Sequence, residues 1–140
     1  MIINRANIGA GLSRNKGIRK SKGQFIAFCD ADDIWHPTKL ETQIIFMKKY
    51  NLSFCHSSYD IINDDGKKIS HFIVKKKIDY NELLKCCDIG LSTVMCKKKI
   101  LKKNSFSNTI TKEDYFLWLN LILKTKFFFG IKKKLVSWRK

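Results

Sequence analysis

The run Gln24-Phe25-Ile26-Ala27-Phe28-Cys29 leads straight into Asp30-Ala31-Asp32-Asp33, and this junction narrows the possible folds more than any other feature of the chain. A short, nearly unbroken apolar run suits a strand covered on both faces, and that requires helices on either side of a sheet. Three carboxylates in the next four positions end such a strand, because like charges this close repel. Pro37 then stands where the first residue of a helix belongs. Leu40, Ile44 and Met47 follow at i, i+4 and i+7, predicting an amphipathic helix packed on the sheet.

The remaining segments keep that alternation. Ile2-Ile3 reads as the tail of a strand, and residues 8–20 as a helix in spite of Gly9, Gly11 and Gly17. Residues 52–59 and 68–74 read as strands around the turn Asn63-Asp64-Asp65-Gly66, 83–87 as a short helix and 92–96 as a short strand. Thr111-Lys112-Glu113-Asp114 has the spacing of a capping box, and Tyr115, Trp118, Leu119 and Ile122 line one face of the helix it would start. Two β-like pieces, 126–131 and 135–138, close the chain. Strands alternating with helices predict an α/β layered fold. A length of 140 residues without repeat or linker predicts one domain over 1–140. An α/β nucleotide-binding half opens with strand–helix–strand, so this sequence reads as starting partway through one.

Charge narrows the partners. Lys and Arg total 28 against 12 acidic residues, a net charge of +16 that favours polyanions. Bidentate phosphate clamps and base readers favour Arg, yet 24 of the 28 are Lys. Most lysines therefore read as solvated surface, and nucleic acid is a poor fit. The runs Lys75-Lys76-Lys77, Lys97-Lys98-Lys99 and Lys132-Lys133-Lys134 suit peripheral contact with an anionic membrane, at about 1 kcal/mol per residue near the surface. Five cysteines without a C-x-x-C pair predict reduced, mostly buried thiols. No apolar run approaches the roughly 18 residues of a membrane span, and Met1-Ile-Ile-Asn-Arg lacks the apolar region of a secretory signal. The expectation is a soluble, cytoplasmic protein.

Two acidic groups are candidates for chemistry. Asp30 and Asp32, two apart in extended chain, point the same way, and hard oxygen donors at the carboxyl end of a buried strand suit Mg²⁺ or Mn²⁺ with phosphate and water completing the shell. The competing reading is an Asx turn that helps to start the Pro37 helix. Glu113-Asp114 is the second pair. There a carboxylate at a helix N-terminus is held ionised by the macrodipole, with a lowered pKa, and can serve as a general base. A plain cap at Asp114 explains the same residues equally well. Gly9-x-Gly11 lacks the third glycine of a dinucleotide fingerprint because Arg14 stands there. Arg14 itself suits a diphosphate or a helix surface. His36, His56 and His71 share no metal-ligand spacing.

Taken together, the motifs resemble the family 2 glycosyltransferases of GT-A fold, bacterial enzymes that build surface polysaccharides. Asn7-x-Gly9 with Ser13-Arg14-Asn15-x-Gly17-Ile18 is similar to the family's N-x-G-x-x-x-[AS]-R-N-x-G-I. The segment from Gly23 through Asp30-Ala31-Asp32-Asp33-Ile34-Trp35-His36-Pro37 to Lys39-Leu40-Glu41 and Gln43 is similar to its metal-site region. Glu113-Asp114-Tyr115-x-Leu117-Trp118-Leu119 is similar to its E-D-x-x-L-W-L helix start, and Leu135-Val136-Ser137-Trp138-Arg139 to its closing strand, with Trp for Tyr.

The resemblance implies a partial GT-A fold, a mixed sheet flanked by helices, without the strand–helix–strand that precedes the Asn7 motif in the family. It implies an inverting glycosyltransferase that moves a sugar from a nucleotide-sugar donor to a glycan or lipid-linked acceptor in lipopolysaccharide or capsule synthesis. Asp32 would hold Mn²⁺ or Mg²⁺ against the donor diphosphate, with Asp30 toward the ribose or the metal. Arg14 would lie near the nucleotide, Asp114 would be the catalytic base, and Ile89-Gly90-Leu91-Ser92-Thr93 would lie beside the acceptor. Two other readings remain open at this stage. One is a haloacid-dehalogenase-like phosphatase with Asp30 as nucleophile; the other is an inactive remnant or basic module on membrane or nucleic acid.

Overall fold

The apolar run at 24–29 folds as a short strand in a computed structural model that describes residues 3–102, 104–109 and 111–140. Ahead of it lies α1 (Ala10–Lys20), the helix expected over 8–20. Ile3 is exposed and outside any strand, and Ile2 falls outside the described residues. β1 (Phe25–Ala27) is followed by a turn in which the Asp33 N–H donates to the Asp30 carbonyl at 3.2 Å. A two-residue strand the sequence did not signal, β2 (Ile34–Trp35), then leads to α2 (Lys39–Lys49), which begins two residues beyond Pro37.

β3 (Phe54–Ile62) and β4 (Lys68–Phe72) form the expected hairpin, with Gly66 at φ 78° in its turn. β5 (Lys77–Ile78) precedes α3 (Tyr80–Lys85). The chain's capping box is at α3: the Asp79 carboxylate accepts from the Glu82 N–H and Glu82 from the Asp79 N–H. The expected strand at 92–96 divides into a 3-10 turn, Leu91–Thr93, and β6 (Met95–Lys97), which runs into α4 (Lys98–Leu101). The last helix is α5 (Glu113–Thr125), and the two closing β pieces are one strand, β7 (Phe128–Arg139). Register shifts around Ser58 absorb the Lys132–Lys134 run as bulges, so the strand continues through it.

The described strands form one mixed sheet in the order β1-β6-β3-β7-β2. β3 runs parallel to β7 along its whole length and antiparallel to β6 and β4 at its two ends, while β5 adds to β7. Alternate residues of the strands feed two apolar layers, as the strand period requires. Ile26, Phe28, Phe54 and Phe128 join Trp118, Leu121 and Ile122 of α5 on one face. Phe25, Ala27, Cys55 and Met95 pack with Met47 of α2 on the other. β1 is therefore covered on both faces, as its unbroken apolar run foretold. Trp118 is fully buried, with the rings of Phe54, Phe106 and Phe28 centred 5.1, 6.3 and 6.5 Å from it.

Two expectations are corrected here. Only Cys55 and Cys96 are buried thiols, while Cys29, Cys86 and Cys87 are exposed. The inward face of α2 is also rotated by one residue. Lys39, Gln43 and Met47 point in, and Leu40 is 44% exposed. The physical reason is a satisfied polar pair: Lys39 Nζ donates to Gln43 Oε1 at 2.7 Å and lies 4.3 Å from the centre of the Trp35 ring. Burial lowers the Lys39 pKa to about 8. Its folded-state pKa thus lies below its unfolded value, so holding the cation costs stability in full below pH 8, and that cost fades as pH rises toward about 10.5. The melting temperature of Lys39→Met should accordingly lose ground to the wild type between pH 7 and 10. A pH-independent difference between the two melts would contradict this account.

Candidate active site

α1 presents a face of small and polar residues at helical spacing, Gly11, Arg14 and Asn15. The turn ahead of it closes when the Gly9 N–H donates to Asn7 Oδ1 at 3.0 Å with Gly9 at φ 79°. Asn15 is buried and grips the chain before α5 through both backbone groups of Phe106. Its Nδ2 donates to the Phe106 carbonyl and its Oδ1 accepts from the Phe106 N–H, each at 2.9 Å. At Gly11 a Cβ would stand 2.5 Å from the Ser107 carbonyl, so only glycine permits this approach. Arg14 lies between two acids. Nη2 donates to Asp30 Oδ1 at 2.9 Å, and Nη1 pairs with Glu113 Oε1.

The acidic loop after β1 is fixed mostly through its backbone. The Asp30 N–H donates to Ser92 Oγ at 2.9 Å, and Trp35 Nε1 donates to the Ser92 carbonyl at 3.0 Å. The neighbouring Thr93 carbonyl accepts from Gln43 at 2.8 Å, which ties the buried polar pair of α2 to the same wall. Arg139, at the end of β7, closes the other side: its N–H donates to Asp33 Oδ1 at 3.1 Å and its Nε to the Asp32 carbonyl at 3.1 Å. The Asp32 side chain is exposed. Burial raises the Asp33 pKa against the hydrogen bonds it accepts.

α5 does not begin with the capping box expected at Thr111–Asp114. The residue before its first turn is Lys112, in the left-handed region at φ 59° with no side-chain cap. Asp114 is instead the second residue of the helix, and it faces a cavity of about 610 Å³. Asp30, Asp33 and Ser92 line the same cavity, opposite Tyr59 and Trp138. The expectation of a lowered Asp114 pKa is reversed: burial and the adjacent Glu113 charge raise it, against the Tyr115 N–H and Arg14. Partial burial of the Asp114 carboxyl against its neighbours desolvates the charged form, and this outweighs the helix dipole.

Asp30 and Asp114 thus line one cavity, Arg14 stands behind it, bonded to Asp30 and to Glu113, and Asp32 is on the exposed side of the same loop. The sequence placed Asp33 in the acidic cluster, Ser92 in the loop beside the acceptor and Arg139 in the closing strand, but it assigned no bonding role to any of them. The Ser92 and Arg139 contacts that hold the acidic loop are set by the fold. The donor chemistry fits a divalent cation of the kind held by one or two carboxylates and completed by phosphate and water oxygens. Among the described residues no group of three His, Cys, Asp or Glu side chains forms a cage of protein ligands.

The Glycosyl transferase family 2 profile matches residues 1–109. The chain belongs to that family. It is 43% identical over 122 residues to the UDP-Glc:alpha-D-GlcNAc-diphosphoundecaprenol beta-1,3-glucosyltransferase WfgD of Escherichia coli, covering 87% of this chain and 47% of that one. It is 32% identical over 134 residues to the putative teichuronic acid biosynthesis glycosyltransferase TuaG of Bacillus subtilis, covering 95% and 53%. The chain spans about half the length of these family 2 relatives. In fold it is similar to S. aureus TarS 1–349, with a TM-score of 0.73 at 16% identity over 94% of this chain and 40% of that one. A TarS complex with UDP-GlcNAc superposes with a TM-score of 0.72. The α/β sheet described above is accordingly that of a GT-A glycosyltransferase.

Proposed function

We propose that this family 2 chain carries the metal and base half of an inverting glycosyltransferase that moves a hexose from a UDP-sugar to a lipid-linked glycan in surface polysaccharide synthesis. The observation that carries the reading is the meeting of Asp114 and the Asp30–Asp33 loop across one cavity. Its 610 Å³ is within the usual range of ligand sites. The donor class is drawn from WfgD, whose name gives UDP-glucose and a diphosphoundecaprenol acceptor, and from the UDP-GlcNAc bound to TarS.

Asp30 and Asp32 would hold Mn²⁺ or Mg²⁺. Such an ion supplies neutralising charge to a departing diphosphate. Asp114 takes the proton from the acceptor hydroxyl as that oxygen attacks the anomeric carbon, and the bond to the diphosphate breaks on the opposite face of the sugar. A raised pKa strengthens Asp114 as a base for that step. Lys22, Lys97, Lys98, Lys99 and Lys102 border a separate open groove, a surface suited to anionic headgroups near a lipid-linked acceptor. The family membership leaves the phosphatase reading of Asp30 without support.

Melting this chain with UDP-glucose, with and without Mn²⁺, tests the reading beside Asp32→Asn. At 100-fold excess over Kd a bound donor adds about 2.7 kcal/mol of stability. The expected result is a Mn²⁺-dependent rise in melting temperature that Asp32→Asn removes. A cooperative melt unmoved by UDP-, GDP- or dTDP-sugars would overturn the donor assignment and favour a remnant.

A further inference from the structure

The Arg14 side chain is committed in a way that nucleotide contact does not explain. Its guanidinium joins Asp30, at the end of β1, to Glu113, the first residue of α5, and all three side chains are partly withdrawn from water, with Arg14 21% and Glu113 14% exposed. Charge-assisted bonds of this kind are about twice as strong as neutral ones. The planar fork of arginine spans two carboxylates in a way that lysine, with a single point charge, does not.

The neighbouring anchors on this face of α1 act on Phe106 and Ser107, in the segment that leads into α5. Asn15 holds both backbone groups of Phe106, Gly11 lets the Ser107 carbonyl approach, and Arg14 lies over the Phe106 ring, 5.6 Å from its centre. The first turn of α5 has no side-chain cap of its own, and Lys112 ahead of it is in a left-handed conformation. Something outside the helix must therefore set where that turn lies.

We infer that Arg14 and Glu113 form a coupled pair of positioning residues: the guanidinium, braced on Asp30, fixes the first turn of α5 and so holds Asp114 against the cavity. The inference rests on the proposed role of Asp114 but names different residues. It differs from the expectation that Arg14 serves the nucleotide, since both terminal nitrogens of the guanidinium are bonded here to carboxylates of the protein.

Amide hydrogen exchange on the full chain tests it without requiring turnover. Arg14→Gln and Glu113→Gln should each speed exchange at Phe116 and Leu117 by at least about 10-fold, a ratio worth 1.4 kcal/mol of local opening. The double variant should go no further, because one interaction is lost in each case. Amides where β3 pairs with β7 should stay unchanged. In a transfer assay with UDP-glucose the same variants should lower kcat about 10-fold or more while the donor KM stays within about twofold. Unchanged exchange at Phe116 and Leu117 would overturn the inference. So would a raised donor KM in Arg14→Gln that Glu113→Gln does not share, because that pattern assigns Arg14 to the nucleotide. Full turnover in Asp114→Asn would remove the base reading alone, and the exchange result would still decide the clamp.

Discussion

Asp114→Asn should lower glycosyl transfer by about 10²- to 10⁴-fold, the usual share of a positioned general base, while UDP-sugar binding stays within about twofold. The same change should raise the melting temperature at neutral pH. Burial and the neighbouring Glu113 raise the Asp114 pKa, so the folded chain binds that proton more tightly than the unfolded chain does. Stability contributed by this group is therefore full at acid pH and falls as pH climbs from the ordinary carboxylate value through the raised one. Asparagine carries no charge to desolvate, so the variant gains on the wild type across that window and keeps the gain above it. At pH 3, where both states are protonated, the two should melt alike. A variant that is inactive and also less stable at pH 7 would show that the carboxylate serves the fold. The acidic limb of the wild-type rate profile should likewise lie at higher pH than an unperturbed aspartate would give.

The largest loss of stability is expected from Trp118→Ala. Trp118 is fully buried at the centre of the larger apolar layer, ringed by Phe28, Phe54 and Phe106. Emptying a buried aromatic site costs about 3–5 kcal/mol, which in a chain of this size lowers the melting temperature by roughly 10–17 °C. Trp118→Phe should cost far less. The indole Nε1 has no hydrogen-bond partner among the described residues, so its removal breaks no bond and even relieves an unsatisfied donor. Thermal melts of the two variants separate these terms. Equal losses would mean that the indole nitrogen is satisfied after all.

Trp118 also illustrates what was legible. Its place on the inner face of α5 followed from spacing alone, since Trp118 and Ile122 recur at helical period. The neighbouring stripe on α2 did not follow. There spacing selected Leu40 as an inward residue, and the fold turned Lys39 and Gln43 in, because the two satisfy each other and Gln43 reaches the Thr93 carbonyl from across the chain. A pattern read from hydrophobicity has no access to a partner 50 residues away. The same limit applies at α5, where Thr111–Asp114 matched a local capping rule while the real box formed at Asp79–Glu82. The first turn of α5 is set by contacts from α1, and these override a local cap.

What the sequence determined by itself is local and chemical. The apolar run entering Asp30-Ala31-Asp32-Asp33 dictated a covered strand that ends in carboxylates, because strand period and like-charge repulsion act between near neighbours. The α/β alternation, the Gly66 turn and the candidacy of Asp30, Asp32 and Asp114 came from the same short-range physics. Tertiary structure alone decided which carboxylates share a cavity, that Asp114 is raised in pKa rather than lowered, and that Arg14 joins Asp30 to Glu113, which lies 99 positions further along the chain than Arg14. Burial and long-range ion pairing depend on what is brought alongside a residue, and only the closed sheet fixes that.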